Sequence, residues 1–181
     1  AITLHHLLTH SAGLPDYLND PLPGVDRAGI LRATATGDLV ALLAQQPLLY
    51  APGERYRYSN SGYYVLGKVI EQVSGSSYAG FLQENILGPL GMASTGYDDC
   101  ERTPERCAVG YAYDRVNERY RAMTGVSAST AFSAGGLFST VGDLYLWDQA
   151  LYGEALVPRA TIEQAQSPLV VRHARHQHQG D

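Results

Sequence analysis

The stretch Tyr50–Ser74 changes its periodicity partway along, and this change constrains the fold more than any other feature of the sequence. Pro52-Gly53 is a turn dipeptide, because proline fixes φ and glycine accepts the positive φ of a type II turn. Arginines and tyrosines then alternate through 55–58, which predicts a short extended segment. Apolar residues next recur at helical spacing up to Gly75, a typical helix terminator. We therefore predict an extended segment that leads into a buried helix over 60–74.

Tyr58, Ser59 and Asn60 lie where the two periods meet, and such a junction holds side chains in fixed positions. A tyrosine acts as a general base only when nearby cations lower its pKa from about 10. An asparagine can offer both a donor and an acceptor to an amide. The alternative is structural, with Asn60 or Ser61 as the helix cap and Tyr58 in the core. Taken alone, the tripeptide favours the structural interpretation, and its flanks favour a functional one.

Four short blocks, which include this junction, follow one another in a recognisable order. They are Ile2–Tyr17, then Tyr50–Gly53 with Tyr58-Ser59-Asn60, then Leu87–Met92, then Ala134–Thr140. In this order they resemble the serine β-lactamase-like proteins, which include class C β-lactamases, D-alanyl-D-alanine carboxypeptidases, D-aminopeptidases and esterases. Tyr58-Ser59-Asn60 is similar to the Tyr-x-Asn motif of that family. The resemblance runs from residue 2 to about residue 152.

The resemblance implies an α+β fold of the β-lactamase/transpeptidase type, of which this chain is mainly the helical subdomain with a small β-hairpin. It also implies acyl transfer to a serine. Tyr58 would relay protons between that serine and the leaving group, while Asn60 would bind the amide side of the substrate and Ser59 would point away. The substrate would be a β-lactam, a D-alanyl peptide or an ester, and neither a metal nor a cofactor is implied.

The sequence departs from the family at the nucleophile. Ser-x-x-Lys, the nucleophile motif, is absent, because the one lysine, Lys68, has Val65 three positions before it. The third motif, Lys-Thr-Gly, is absent too, and His178-Gln-Gly180 lacks the apolar strand context of the His-x-Gly variant. We therefore expect an internal piece of a larger hydrolase, inactive by itself. The alternative is a noncatalytic binding or interaction module derived from the same fold.

Capping residues and apolar spacing predict further helices around the central one. They begin at Thr3, at Thr36–Asp38, at Ser76 or Ser77, at Ser139-Thr140 with Asp143 as a capping box, and at Pro158. The alternation in Val109–Met123 predicts a hairpin. Residues 1–166 would form the helical part of the domain and 167–181 a flexible tail or truncated end. Helices 60–74 and 139–151 are apolar enough to need cover, which predicts self-association or association with further polypeptide.

Three other groups have functional interpretations that the pattern does not favour. His6 and His10 have the i, i+4 spacing of zinc-binding helices, but Leu7 stands where His-Glu-x-x-His has glutamate, so packing and helix-end hydrogen bonds are favoured. Ser133 resembles the serine of a Gly-x-Ser-x-Gly elbow, but Ala131 replaces the first glycine. The histidines of the tail (His173, His176 and His178) lie among Arg and Gln, which is typical of a solvated segment.

Cys100 and Cys107 are separated by six residues, and this spacing favours a disulfide over free thiols or half of a metal site. Such a bridge stabilises a fold by roughly 2–3 kcal/mol and implies an oxidising compartment, hence a periplasmic or extracellular location. The net charge of −5 gives no support for nucleic acid or an anionic membrane as a partner. No apolar run reaches the ~18 residues of a membrane span.

Overall fold

The computed structural model describes residues 1–97, 107–122 and 128–168. The chain divides into two compact units. The first unit combines Ala1–Val69 with the described residues from Ala160 on, and the second is Ile70–Arg159. The helices are α1 (Leu4–Leu8), α2 (Arg27–Thr36), α3 (Leu39–Ala44), α4 (Asn60–Ser74), α5 (Tyr78–Leu82), α6 (Ala128–Ala131), α7 (Val141–Ala150) and α8 (Arg159–Gln166). The strands are β1 (Gly96–Tyr97), β2 (Tyr111–Asp114), β3 (Arg119–Ala122) and β4 (Leu137–Phe138).

The helix boundaries that depend on local caps agree with the sequence. Thr3 caps α1 through a complete capping box, in which its Oγ1 accepts from the N–H of His6 and its own N–H donates to the His6 imidazole. Helix α4 spans the predicted residues 60–74, and Gly75 follows it with φ of 71°. Ser77 Oγ accepts from Gly80 N–H at the start of α5, and α5 continues into a π-helical turn, Gln83–Leu87. These boundaries follow from neighbouring residues alone.

The prediction that Thr36–Asp38 begins a helix was incomplete, because helix α2 already precedes it. Asp26 caps α2 by accepting from Gly29 N–H at 2.6 Å, and Gly37 ends it with φ of 82°. Helix α3 then begins at Leu39, and Asp38 makes no side-chain capping bond. The only large apolar residues of α2 are the adjacent Ile30 and Leu31, so its sequence carries no apolar stripe that periodicity detects.

The faces that α4 and α7 bury differ from the predicted apolar stripes. The residues whose helical spacing predicted the buried side of α4 are Tyr63, Leu66, Gly67, Ile70 and Val73. Of these only Gly67 is buried, and Val73 is 82% exposed. The residues that α4 does bury are Asn60, Ser61, Gly62, Tyr64 and Gly67. In α7 the buried residue is Asp143, whereas Leu144 and Trp147 are exposed. Apolar spacing thus identified the helices but not the sides that pack, because cover depends on the tertiary neighbours.

The start of α7 has half of the predicted capping box. Thr140 Oγ1 accepts from the N–H of Asp143 at 3.3 Å. The carboxylate of Asp143 accepts instead from the Ser94 N–H at 2.8 Å and from the Thr95 hydroxyl at 2.7 Å. Thr95 and Ser139 share a further hydroxyl–hydroxyl bond of 2.7 Å. A residue predicted to act locally therefore holds a distant loop.

The predicted hairpin is present in the second unit as β2 and β3. The strands pair antiparallel, with Tyr111 opposite Ala122 and Asp114 opposite Arg119. β1 and β4 form a second antiparallel pair that the sequence did not predict, because each has only two residues. Ser133 lies in the 3₁₀ turn Phe132–Ala134.

Two remaining expectations concern the cysteines and the membrane. Cys107 is disulfide-bonded, and Cys100 lies outside the described residues, so their pairing stays a prediction. Of the predicted tail 167–181, residues 169–181 and their three histidines also lie outside the described residues. In the part of the chain that the structure describes, none of the helices is both long and apolar enough to cross a bilayer.

Candidate active site

The segment before α4 is held by His10, which follows α1. The N–H of Arg57 donates to the His10 carbonyl at 2.9 Å, and the N–H of Ser59 donates to His10 Nδ1 at 3.2 Å. His10 has φ of 54°, a left-handed conformation that histidine adopts more readily than most side chains. One residue therefore fixes the backbone on both sides of Tyr58. These two bonds hold the segment without a β-sheet, since residues 55–59 belong to none of the strands in the described structure.

Tyr58 and Asn60, the two predicted site residues, contact each other. The Tyr58 hydroxyl donates to Asn60 Oδ1 at 3.1 Å. Tyr58 is 54% exposed, whereas Asn60 is 7% exposed. Ser59 between them is buried, and its Oγ has no hydrogen-bond partner among the described residues. The junction thus presents one exposed phenol backed by one buried amide.

The amide of Asn60 is held from behind by a buried carboxylate. Its Nδ2 donates to the two oxygens of Asp16 at 2.8 and 3.1 Å. The same carboxylate accepts from the Leu18 N–H at 2.9 Å and from Asn19 Nδ2 at 2.8 Å. Asp16 is 4% exposed, and its hydrogen bonds offset the cost of burying the charge. Asp16 therefore has partners both in its own loop and at the start of α4.

The loop that carries Asp16 is tied to the same segment by an ion pair. Asp20 accepts from the Asp16 N–H at 2.8 Å and from the Arg57 guanidinium at 2.6 Å. Partial burial would raise the pKa of the Asp20 carboxyl, but the Asp16 N–H and Arg57 together hold that pKa below its usual value. Ser61 adds a buried link, because its Oγ accepts from the Tyr17 N–H and donates to the Pro15 carbonyl. The first turn of α4 and the 15–20 loop therefore form one hydrogen-bonded body.

The imidazole of His10 lies among tyrosine rings. Its ring centre is 4.6 Å from that of Tyr58 and 4.9 Å from that of Tyr63, the latter stacked. Burial lowers the pKa of His10, and the negative charge of Asp16 acts in the opposite direction. A neutral imidazole fits the geometry, because Nδ1 accepts the Ser59 N–H and cannot also carry a proton.

His6 and His10 both use their Nδ1 atoms to hold backbone. His6 Nδ1 accepts the Thr3 N–H in the capping box, and His10 Nδ1 accepts the Ser59 N–H. These are the packing and helix-end bonds that the sequence favoured over a metal site. Within the described ranges, no group of three or more metal-ligating side chains is assembled.

The sequence of the chain matches the model of one protein family, described as Beta-lactamase, over residues 1–180. The chain belongs to this family. It is 34% identical over 180 residues to penicillin-binding protein 4* of Bacillus subtilis, covering 93% of this chain and 39% of that protein. It is 37% identical over 131 residues to esterase EstB of Burkholderia gladioli, covering 69% of this chain and 32% of the esterase.

Solved structures of similar proteins identify the fold as β-lactamase/transpeptidase-like. A D-stereospecific amidohydrolase from Streptomyces sp. matches with a TM-score of 0.73 and 26% identity, over 94% of this chain and 52% of the other. The penicillin-binding protein homologue from Pyrococcus abyssi matches with a TM-score of 0.69 and 32% identity, over 92% and 38%. The chain spans about a third to a half of the length of these relatives. The part of this fold that the chain forms is mainly helical, as predicted.

Sequence reasoning did not identify the partners of His10 and Asp16 around the Tyr-x-Asn motif. Asp16 and Asn60 are 44 residues apart in the chain, and His10 and Ser59 are 49 apart. No local periodicity reports contacts over such separations. The one available signal was that the block Ile2–Tyr17, which contains both His10 and Asp16, resembles the family.

Proposed function

We propose that this chain supplies the Tyr-x-Asn part of the active site of a serine hydrolase that works through an acyl-enzyme. The observation that carries the proposal is the 3.1 Å hydrogen bond from the exposed Tyr58 hydroxyl to the buried Asn60 amide. Membership of the beta-lactamase family supports the reaction class. The substrate is a β-lactam, a D-alanyl peptide or an ester, in line with the names of the relatives.

In this reaction the serine Oγ attacks the carbonyl carbon of the substrate. Tyr58 relays the proton: its oxygen accepts the serine proton while its own hydroxyl proton passes to the leaving group as the bond to the carbonyl carbon breaks. Water then attacks the acyl-enzyme, releases the acid and returns the serine. A cation beside the Tyr58 oxygen would favour the proton relay. We propose the lysine of Ser-x-x-Lys as that cation, because the one lysine of this chain, Lys68, lies over the ring of Tyr64, 5.9 Å from its centre.

If the encoded protein has no Ser-x-x-Lys, as the 181 residues have none, a second candidate is a noncatalytic binding module. The two candidates differ in one measurement. The protein as encoded is incubated with benzylpenicillin and examined by intact-mass spectrometry. A hydrolase gains the mass of the β-lactam on the serine of a Ser-x-x-Lys motif, and it turns over nitrocefin or p-nitrophenyl acetate. An encoded protein without such a serine, with no adduct and no turnover, would establish the module.

The proposal also predicts that the 181-residue chain is inactive by itself, because removing the nucleophile costs several orders of magnitude in rate. Turnover by this chain above a denatured blank, and unaffected by Tyr58→Phe, would contradict the assignment. We further propose a periplasmic or extracellular location, which the disulfide bond of Cys107 supports.

A further inference from the structure

We infer that His10 positions Tyr58 for the reaction, because it holds the backbone before and after Tyr58 and packs its neutral imidazole against the phenol ring. For the chemistry that Tyr58 performs, this rests on the proposed function, whereas the contacts between the two residues do not. His10 acts through Tyr58, and it is therefore a positioning residue and not a group that contacts the substrate.

Two hydrogen bonds hold the backbone that carries Tyr58, and both end on His10. The carbonyl oxygen of His10 accepts the Arg57 N–H at 2.9 Å, and its Nδ1 accepts the Ser59 N–H at 3.2 Å. The hydroxyl of Ser59 has no hydrogen-bond partner among the described residues, so this side chain adds nothing to the hold. The path of the chain through Tyr58 therefore follows the position of His10.

The ring of His10 also sets the orientation of the Tyr58 ring. The two ring centres are 4.6 Å apart, and on α4 the Tyr63 ring stacks on the same imidazole at 4.9 Å. Tyr58 is 54% exposed, so its phenol is held mainly by this ring contact and by the bond of its hydroxyl to Asn60. A proton relay requires the phenol oxygen within hydrogen-bond reach of the reacting atoms, which makes the ring orientation part of catalysis.

His10 can hold Ser59 only while its Nδ1 carries no proton. A protonated imidazole is a donor at both nitrogens, so Nδ1 would then meet the Ser59 N–H as a second donor. Burial lowers the pKa of His10, whereas the negative charge of Asp16 acts in the opposite direction. Arg57 lines the same small cavity as His10, and the titratable groups whose rings face the imidazole are the phenols of Tyr56, Tyr58 and Tyr63. Protonation of His10 should therefore release Ser59 and displace Tyr58.

The test uses the protein as encoded and compares His10→Asn with His10→Gly. The asparagine oxygen can replace Nδ1 as acceptor and does not titrate, whereas glycine offers no acceptor. Both residues tolerate the φ of 54° found at His10, and both lack the ring, so the pair isolates one hydrogen bond. His5→Gln, on the exposed side of α1, is the control. Thermal unfolding of each variant reports stability separately, and rates are expressed per folded molecule.

The kinetic readout is the rate of acylation by benzylpenicillin at pH 7.5, followed by intact-mass spectrometry. His10→Asn should be acylated about tenfold faster than His10→Gly, the factor that corresponds to one hydrogen bond. Both should be slower than the wild type because the ring contact is lost, and His5→Gln should equal the wild type. Equal rates for His10→Asn and His10→Gly would overturn the inference. If His10→Gly does not fold, the pH profile of His10→Asn decides.

The pH profile measures an effect that a purely structural role would not produce. In the wild type and in His5→Gln, the acylation rate per folded molecule should decrease as the pH falls through the pKa of His10, which lies below about 6.5. His10→Asn should lack this decrease, because its acceptor cannot be protonated. A decrease of the same size in the wild type and in His10→Asn would show that another group is responsible.

A spectroscopic readout is independent of the reaction. In protein labelled with ¹⁵N-histidine, the His10 resonances, identified by their loss in His10→Asn, should show a proton on Nε2 and none on Nδ1 at pH 7.5. In protein labelled with ¹³C-tyrosine, the Tyr58 ring resonances, identified by their loss in Tyr58→Phe, should shift with the same midpoint as His10. A proton on Nδ1, or Tyr58 resonances that do not follow His10, would contradict the inference. If the wild type forms no adduct, the proposed function fails, and these resonances still decide whether His10 holds Tyr58.

Discussion

Each unit of the molecule contains a buried aspartate that accepts hydrogen bonds from a distant part of the chain. In the first unit Asp16, 4% exposed, holds Asn60. In the second unit Asp143, 8% exposed, holds the Ser94 N–H and the Thr95 hydroxyl. In both networks the donors offset the free-energy cost of burying a carboxylate, which is stable inside a protein only when donors surround it.

The two networks differ in where they end. The Asp143 network passes from Thr95 to Ser139 and remains among groups that secure a loop and a helix start. The Asp16 network passes through Asn60 to the hydroxyl of Tyr58, a side chain that is 54% exposed. Burial and hydrogen bonding are therefore common to both networks. What distinguishes the proposed site is that its buried network holds an exposed side chain that can react.

The largest expected effect separates catalysis from stability in the first unit. Tyr58→Phe in the encoded protein should lower kcat by about 10²–10⁴-fold, because the proton relay is lost. The free energy of unfolding should change by no more than about 1 kcal/mol, since one part-buried hydrogen bond disappears. The matched control is Tyr152→Phe, which removes an exposed hydroxyl bonded to Asp148 at 3.3 Å. Equal activity of the two variants would remove Tyr58 from the reaction.

The next effect tests the structural role of the second network. Asp143→Ala leaves the Ser94 N–H without its acceptor and removes one of the two partners of the Thr95 hydroxyl. Unfolding in urea should show a loss of about 1–3 kcal/mol, the cost of leaving a buried polar group unsatisfied. A loss below about 0.5 kcal/mol would mean that this network is not structural. kcat per folded molecule should be unchanged, in contrast to Tyr58→Phe.

The smallest effect is a pH dependence that belongs to the first unit. Burial lowers the pKa of His10 below the value of about 6.5 that histidine has in an unfolded chain. Above that pH both states are neutral and the contribution to stability is complete. As pH falls below it, the unfolded chain takes up a proton before the folded His10 does, so stability decreases until the folded pKa is passed.

Urea unfolding at pH 7.5 and pH 5.5 measures this difference. His10→Gln should reduce the decrease, whereas His5→Gln on the exposed side of α1 should retain it. The second unit contains no histidine, so a dependence that arises from histidine in this range has its source in the first unit. An equal decrease in wild type and His10→Gln would exclude His10 as that source.

Much of the local structure could be predicted from the sequence, because its causes are local. The cap at Thr3, the bounds of α4 and the hairpin of β2 and β3 depend on residues within a few positions of one another. Helix α2 was missed because its only large apolar residues, Ile30 and Leu31, are adjacent and set no helical period. The two-residue strands were missed because no period can be read over such a length.

The sequence by itself indicated the family, the helix that carries Asn60, and Tyr58 and Asn60 as candidate site residues, whereas the contact between these two side chains is a finding of the structure. The tertiary structure decided which residues surround that pair: His10 holds the backbone of Ser59, and Asp16 directs the amide. The physical reason is the range of the interactions. Caps and periodicity act within a turn or two of chain, whereas the direction of a buried amide is set by a charge 44 residues away that only folding brings within 2.8 Å.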